Sequence, residues 1–466
     1  MKKYLSFCLI LAMLVSLVAC GGTAPEQTQP EETVPGEHVI TDAGTVTVAN
    51  GGNSRVFYHI FVGSFSDSNN DGIGDLRGII DRMDYINDGD DNSGVSLGVE
   101  GIWLSPIFLS PSYHKYDVTD YYQIDPKFGT MEDLKELIEL CHSRNVQIIL
   151  DLVINHSSRG NKWFQNFVNA HRNNDPTDPY YDFYAWADEK LPGATYYPIT
   201  GTDRYYEGNF SSEMPEMNFD NETVRQAMVD LAKFYLDMGV DGFRCDVINL
   251  ISKDQRFKNG HNPLILVGKK YFINGPRLHE FLHEINKDVL SHYDCMTVGE
   301  TTFCNLDDMK KMTADERQEL SMVFNFDHTS VDNFLGVKWL MRKFKLTRFK
   351  KTLDKYQYGL SDIGWNSLFY ENHDQRRSVG RFNTCDKEYR VESAKMLATT
   401  MYFLKGTPFI YQGQEIGMTN YDVDSIHDFI DIENGIAVYF GCGTSGINAL
   451  VHPDMRNLIH EALETE

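Results

Sequence analysis

From about Arg55 the chain alternates short apolar runs with amphipathic stretches. That alternation restricts it to a parallel sheet, because parallel neighbours need a long crossover between them, usually a helix. Eight runs read as strands, at residues 56–62, 101–105, 147–154, 240–246, 296–300, 322–326, 366–370 and 408–411. Eight such units close a TIM (β/α)8 barrel, whose strands are buried on both faces and so read as continuous apolar runs. The stretch before the fourth run shows how a helix is specified. Asn221 can cap it, Val224, Met228, Leu231, Tyr235 and Met238 form an apolar stripe, and Gly239 can end it. Residues 157–217, rich in Asn, Asp, Tyr and Gly, break the regular alternation. They are expected to form an inserted subdomain over the mouth of a barrel spanning 54–156 and 218–466.

Four of the runs end in acids, amides and imidazoles: DLVINH from Asp151, GFRCDVIN from Gly242, TVGE from Thr297 and ENHDQRR from Glu371. Side chains at the carboxyl ends of barrel strands converge on one mouth. Asp246, Glu300 and Asp374 would meet there, with Arg244, His156 and His373 around them. Three carboxylates in such company suit chemistry at an anomeric carbon, where an acid protonates the leaving oxygen and a carboxylate attacks the carbon or stabilises its cation. Retention of configuration wants the two carboxyls about 5 Å apart, a spacing that neighbouring strand ends can supply. Asp246, next to Arg244, is expected to stay ionised, and Glu300, facing other carboxylates, to hold its proton near neutrality.

A formal charge of -24, from 43 basic and 67 acidic residues with no basic block, argues against nucleic acid and anionic lipid as partners. A neutral sugar fits. None of the eight cysteines shows metal-ligand spacing. Cys245 and Cys295 fall inside strand runs and read as small buried hydrophobes. At the start, Lys2 and Lys3 precede an apolar stretch over 4–18 that is short for a bilayer, and Leu17-Val18-Ala19-Cys20 is followed by glycines. This resembles a bacterial lipoprotein signal over 1–20, with Cys20 left as the acylated first residue. Residues 21–53, rich in Thr, Pro, Glu and Gly, are then expected to form a disordered tether. The expected location is the bacterial cell surface, with the membrane engaged only through the lipid.

Taken in order, the four motifs resemble glycoside hydrolase family 13, the α-amylase family, over residues 53–433. The resemblance implies Asp246 as nucleophile, Glu300 as general acid and base, and Asp374 as transition-state stabiliser. It further implies that Arg244 orients Asp246, that His156 and His373 bind hydroxyls of the reacting glucose, and that Asp151 is the structural, substrate-side aspartate of the first motif. Tyr116 would be a stacking platform beside that glucose, and Arg377 joins the substrate-side residues. Val247, directly after the nucleophile, goes with cleavage of α-1,6 links in one branch, although a buried strand would also choose valine. Asp67, Asn69, Asp71, Ile73 and Asp75 place oxygens at alternate positions, a spacing that lets a tight loop surround a hard cation. The loop is similar to the calcium loop of members near the oligo-1,6-glucosidases, where Ile73 would give its carbonyl and the Ca2+ would be structural. The same residues would also make a metal-free turn.

Two branches of the family are visible. SPSYHKYDVTDYY from Ser110 and MPEMN from Met214 are similar to α-amylases intermediate between neopullulanases and oligo-1,6-glucosidases. GFRCDVINLISKD, KKYFINGPRLHEFLHEIN and IYQGQEIGMTN resemble oligo-1,6-glucosidases and dextran glucosidases. Tyr113 stands where the exo-acting branch has an aspartate, and that branch's RDNARTPMQW-like segment is absent. Glu216 replaces a usual aspartate, Arg376 a proline and Gly63 an arginine. After Glu433 the resemblance stops. Residues 434–466 offer a Gly/Ser stretch and a helix candidate at 453–463, where family members carry an antiparallel β domain. The expectation is a monomeric retaining hydrolase of α-glucan oligosaccharides, acting on α-1,6 links, α-1,4 links or both, without redox or nucleotide cofactor. The competing expectation is a catalytically weak or inactive surface protein that binds glucans.

Overall fold

The structure, a computed structural model, describes residues 54–190, 194–254, 269–334, 337–382 and 388–420. The lipoprotein signal with Cys20, the tether and the helix candidate at 453–463 lie outside them. All eight expected strands are present: β1 (Phe57–Ile60), β2 (Gly101–Leu104), β3 (Gln147–Leu152), β4 (Gly242–Cys245), β5 (Met296–Glu300), β6 (Met322–Phe324), β7 (Ser367–Leu368) and β8 (Thr407–Tyr411). They form one sheet in the order β6-β5-β4-β3-β2-β1-β8-β7, with every pairing parallel. A parallel bridge between Val323 and Asn366 joins its two ends, so the sheet is a TIM barrel. Among the described residues each connection between successive strands carries a helix, named here α1 (Leu76–Asp81), α2 (Met131–Ser143), α3 (Glu222–Met238), α4 (Leu278–Asp288), α5 (Leu306–Thr313), α6 (Leu346–Gly359) and α7 (Arg390–Tyr402).

Strand periodicity divides the apolar residues between two cores. Phe57, Trp103, Ile149, Met296, Val298, Met322, Phe324 and Phe409 fill the barrel interior with Phe369. Their neighbours Tyr58, Ile60, Ile102, Leu104, Ile148, Leu150, Phe243 and Cys245 pack outward against the helices. Two residues beyond an interior position is again interior. Asp151 follows Ile149, and Glu300 follows Val298, so the layer above the apolar filling is acidic. In α3, Asn221 accepts from the Thr223 N–H at 2.9 Å, and Gly239 ends the helix at φ 107°. Val224, Met228, Leu231 and Tyr235 are buried, while Met238 at the last turn is half-buried.

Six of the eight expected strands overshoot at their carboxyl ends, while those ending at Glu300 and Tyr411 stop where expected. The apolar run over 147–154 predicts one strand, yet the ladder ends at Leu152, and Val153 and Ile154 stay buried without continuing it. Burial, not pairing, keeps those positions apolar. The segment 157–217 contains a helix, Lys162–Arg172, and a three-stranded antiparallel sheet with Tyr205–Glu207 between Trp186–Ala187 and Tyr196–Pro198. It is stitched to the end of β3 by Met217 N to Asn155 O at 2.9 Å, Ser157 N to Pro215 O at 3.2 Å and a bridge between His156 and Glu216. Cys141, Cys245 and Cys304 are buried and Cys295 half-buried, all as free thiols. Burial pushes the Cys245 thiol up to about 12 and that of Cys295 to about 11, which makes neither a nucleophile. Among the described residues no helix is long and apolar enough to cross a membrane.

Where β4 meets β5, Gly242 has φ +144°, and a Cβ there would lie 1.8 Å from the Met296 carbonyl oxygen. Gly242→Ala should therefore spread β4 from β5 under the acids and cost roughly 3–5 kcal/mol. A thermal melt measures it, and a variant that melts with the wild type refutes the close approach.

Candidate active site

The acids are organised by Arg244, which has 1% of its side chain exposed. Register alone brings in two of its neighbours, since Arg244 pairs with Asp151 on β3 and Val298 on β5. Its Nη1 donates to Asp151 Oδ1 at 2.6 Å and to Asp246 Oδ1 at 2.7 Å, and its Nη2 donates to Glu300 Oε2 at 2.5 Å. The guanidinium lies 5.3 Å from the Trp103 ring centroid and 5.6 Å from that of Tyr116. Asp151 accepts on its other oxygen from Trp103 Nε1 at 3.2 Å and Tyr116 Oη at 3.1 Å. Such a buried cation needs several partners to offset its desolvation.

After Asp246 the chain turns sharply. Val247 sits at φ 34°, ψ 41°, a left-handed conformation that costs a β-branched residue about 1–2 kcal/mol. The turn aims the Val247 N–H at Glu300 Oε2, 3.1 Å away. The Val247 side chain packs with Leu250 and Phe272.

Asp374 is placed differently from its partners. Its side chain is 46% exposed, against 7% for Asp246 and 10% for Glu300. It lies 3.1 Å from His373 Nε2, which in turn is 2.9 Å from Tyr116 Oη. The Tyr116 and His373 rings stack at 5.3 Å. His156 Nε2 is buried and has no hydrogen-bond partner among the described residues. Arg377 is carried to the β7–β8 wall, where it donates to Glu371 Oε1 at 3.1 Å and the Gln412 carbonyl at 2.8 Å and covers the Tyr411 ring.

Burial raises all three interior carboxyls, and Arg244 is the principal opposing influence on each. Glu300 reaches about 7, helped by Asp246 and Asp374, in line with the expected proton near neutrality. Asp246 and Asp151 are both raised to about 6, higher than a dedicated Arg244 partner would give. One guanidinium is divided among three acids, so burial outweighs it.

Sequence reasoning missed His59, whose only signal was a polar residue two places after Phe57 in the first run. His59 stacks on Trp103 at 3.5 Å, shares a hydrogen bond with Ser105 Oγ at 2.9 Å and approaches Tyr411. Burial holds its pKa well below the ordinary imidazole value.

The loop from Asp67 to Asp75 leads into α1, where Asp75 caps the helix through Gly78 N at 2.6 Å. Asp67 accepts from the Gly72 N–H at 2.7 Å, Asn69 from Asp71 N and Asp71 from Ile73 N, each at 2.9 Å. The donors are hard oxygens throughout, which suits Ca2+. Among the described residues no three His, Cys, Asp or Glu side chains are gathered closely enough to hold a metal. An ion here would therefore have to draw on the Asn69 amide and the Ile73 carbonyl as well as the aspartates.

Residues 59–439 match the alpha amylase catalytic domain. The chain belongs to the α-amylase family, glycoside hydrolase family 13. This family 13 hydrolase is 45% identical over 392 residues to an oligo-1,6-glucosidase of Bacillus cereus, covering 81% of this chain and 68% of the relative. It is 41% identical over 393 residues to a trehalose-6-phosphate hydrolase of Bacillus subtilis, covering 81% and 67%. Among solved structures, the trehalose-6-phosphate hydrolase of Bacillus licheniformis superposes with a TM-score of 0.76 at 38% identity, covering 87% of this chain and 72% of that one. Isomaltulose synthase from Klebsiella sp. LX3 gives 0.76 at 33% identity, covering 87% and 72%.

Proposed function

We propose that this family 13 hydrolase cleaves α-1,6-glucosidic links of short α-glucan oligosaccharides with retention, through a covalent glucosyl-enzyme. One observation carries the reading: Asp246, just past the end of β4, and Glu300, the last residue of β5, bind the same guanidinium at 2.7 and 2.5 Å. Carboxyls drawn together this way suit the roughly 5 Å separation of a retaining pair and not the 6.5–9.5 Å that admits a water between them. Asp246 would attack the anomeric carbon while Glu300 protonates the departing oxygen. Glu300, now a carboxylate, would take a proton from the water that hydrolyses the ester. Asp374 with His373, and His156, would bind sugar hydroxyls, with Tyr116 beneath the ring. Resemblance to oligo-1,6-glucosidases and Val247 after the nucleophile favour the α-1,6 link.

The ionisation order supports these roles, with Asp246 at about 6 below Glu300 at about 7. The rate constant kcat/KM should be bell-shaped, falling below about pH 6 as Asp246 takes up a proton and above about pH 7 as Glu300 loses its own. With an aryl glucoside whose leaving group needs no proton, the alkaline limb should flatten. An unchanged limb would remove Glu300 from the acid role.

The deciding experiment incubates the chain from Gly22 onward with isomaltotriose, panose, maltotriose and starch, with products followed by chromatography. Glucose from isomaltotriose supports the reading. Oligosaccharides from starch would replace it with an endo-acting amylase, and no product from a folded sample would leave a glucan-binding protein. We also assign Ca2+ to the Asp67–Asp75 loop as a structural ion, and a lipid to Cys20 as a surface anchor. Chelation should lower Tm and added Ca2+ restore it. Cys20→Ala should move the full chain out of the detergent phase; failure of either test removes that assignment alone.

A further inference from the structure

Beside His156 lies a buried polar cluster that the reaction does not consume. Asn155, Glu216 and His156 are 0%, 0% and 3% exposed, and Lys253 is 8% exposed. Lys253 Nζ reaches Glu216 Oε2 at 3.0 Å, Asn155 Oδ1 at 2.9 Å and the Leu250 carbonyl at 3.1 Å. Asn155 Nδ2 reaches Glu216 Oε2 at 2.9 Å and His156 Nδ1 at 3.2 Å. The other Glu216 oxygen accepts from Asn209 N at 3.2 Å.

The chemistry of the side-chain partners assigns the protons. An ammonium only donates, so the Asn155 atom facing Lys253 is the carbonyl oxygen. A carboxylate paired with lysine only accepts, so the Asn155 atom facing Glu216 is the amide nitrogen. The second hydrogen of that amide is then directed at His156 Nδ1, which must accept it. A neutral imidazole that accepts at Nδ1 carries its proton on Nε2.

We propose that Lys253, Glu216 and Asn155 are positioning residues that lock His156 in the Nε2–H tautomer, so that its buried, unpartnered nitrogen serves as a donor to an oxygen of the reacting sugar. The proposal rests on the glycosidase reading of the site for its consequence, though not for the tautomer itself. The ring is kept neutral by burial, which lowers its pKa, and by Lys253, while Glu216, Asp117 and the main chain of Tyr116 oppose this.

The test is histidine-selective nitrogen NMR on the ligand-free chain, with the His156 signals identified by their loss in His156→Gln, alongside kinetics on isomaltotriose. The wild type should show a bare Nδ1 and a protonated Nε2. Asn155→Asp offers His156 an acceptor in place of a donor, so it should move the proton to Nδ1. Its kcat/KM should fall about a hundredfold near neutrality, the scale for losing one buried donor at a reacting centre. That deficit should shrink as pH falls, because a doubly protonated ring recovers the Nε2–H. The double variant Lys253→Met/Glu216→Gln removes both charges together and leaves none unpaired. It should fold, mix the tautomers and lose roughly tenfold in kcat/KM, since each tenfold is only about 1.4 kcal/mol. A protonated Nδ1 in the wild type, or a reversed tautomer in Asn155→Asp with undiminished kcat/KM, overturns the proposal. A wild type that turns over no substrate overturns the glycosidase reading instead, and the NMR result still decides the tautomer.

Discussion

Asp246→Asn should lower kcat roughly 10⁴-fold or more while the protein stays folded, because it removes the attacking oxygen and hardly alters the volume. Removing this carboxylate also removes a buried charge. Its folded pKa, about 6, lies above the unfolded value of roughly 3.9. A group raised in this way costs stability as pH rises through that window, since the unfolded chain sheds the proton first. Relative to wild type, the asparagine variant should therefore gain in Tm between about pH 4 and pH 6. The lost Arg244 contact offsets part of that gain. Turnover assays and melts at two pH values check both halves. Unaltered turnover removes Asp246 from the nucleophile's place, and a Tm difference that ignores pH means that burial does not raise its carboxyl.

What could be read in the chain was whatever strand periodicity dictates. Asp151 and Glu300 each stand two places beyond an interior apolar residue, so their convergence follows from the barrel and the residue count. Asp374 was legible as a member of the mouth but not in its exposure, because it lies beyond β7 on a turn that no period governs. The left-handed Val247 was invisible for a related reason: a β-branched residue argues for extended backbone, and only the need to place its N–H on Glu300 and its side chain against Leu250 and Phe272 opposes that preference. Lys253 and Glu216 were hidden by distance along the chain, since their meeting depends on how the segment 157–217 returns to the end of β3. In the sequence Glu216 stands out only as a departure from a usual aspartate. The calcium loop and the Cys20 anchor remain readings of local pattern, which fixes donor chemistry but not occupancy.

The largest loss of stability should come from Arg244→Met, which keeps the length of the side chain and removes the only cation that touches Asp151, Asp246 and Glu300 together among the described residues. Breaking a buried ion pair from one side costs roughly 3–5 kcal/mol, since the remaining charge is left unsolvated. Here the carboxyls can escape by binding protons. Arg244 is the chief influence lowering each of the three, so without it all should rise beyond the present values of about 6, 6 and 7. Unfolded, the same groups titrate near roughly 4. The folded variant thus holds more protons than the unfolded chain from about pH 4 to above pH 7, and its stability must fall as pH rises across that range. The Tm deficit against wild type should be small at pH 5 and large at pH 8, and Asp151→Asn added to Arg244→Met should recover part of it at pH 8 only. A deficit that is the same at both pH values would mean that Arg244 supports the barrel by packing against Trp103 and Tyr116, and that the acids above it do not depend on its charge.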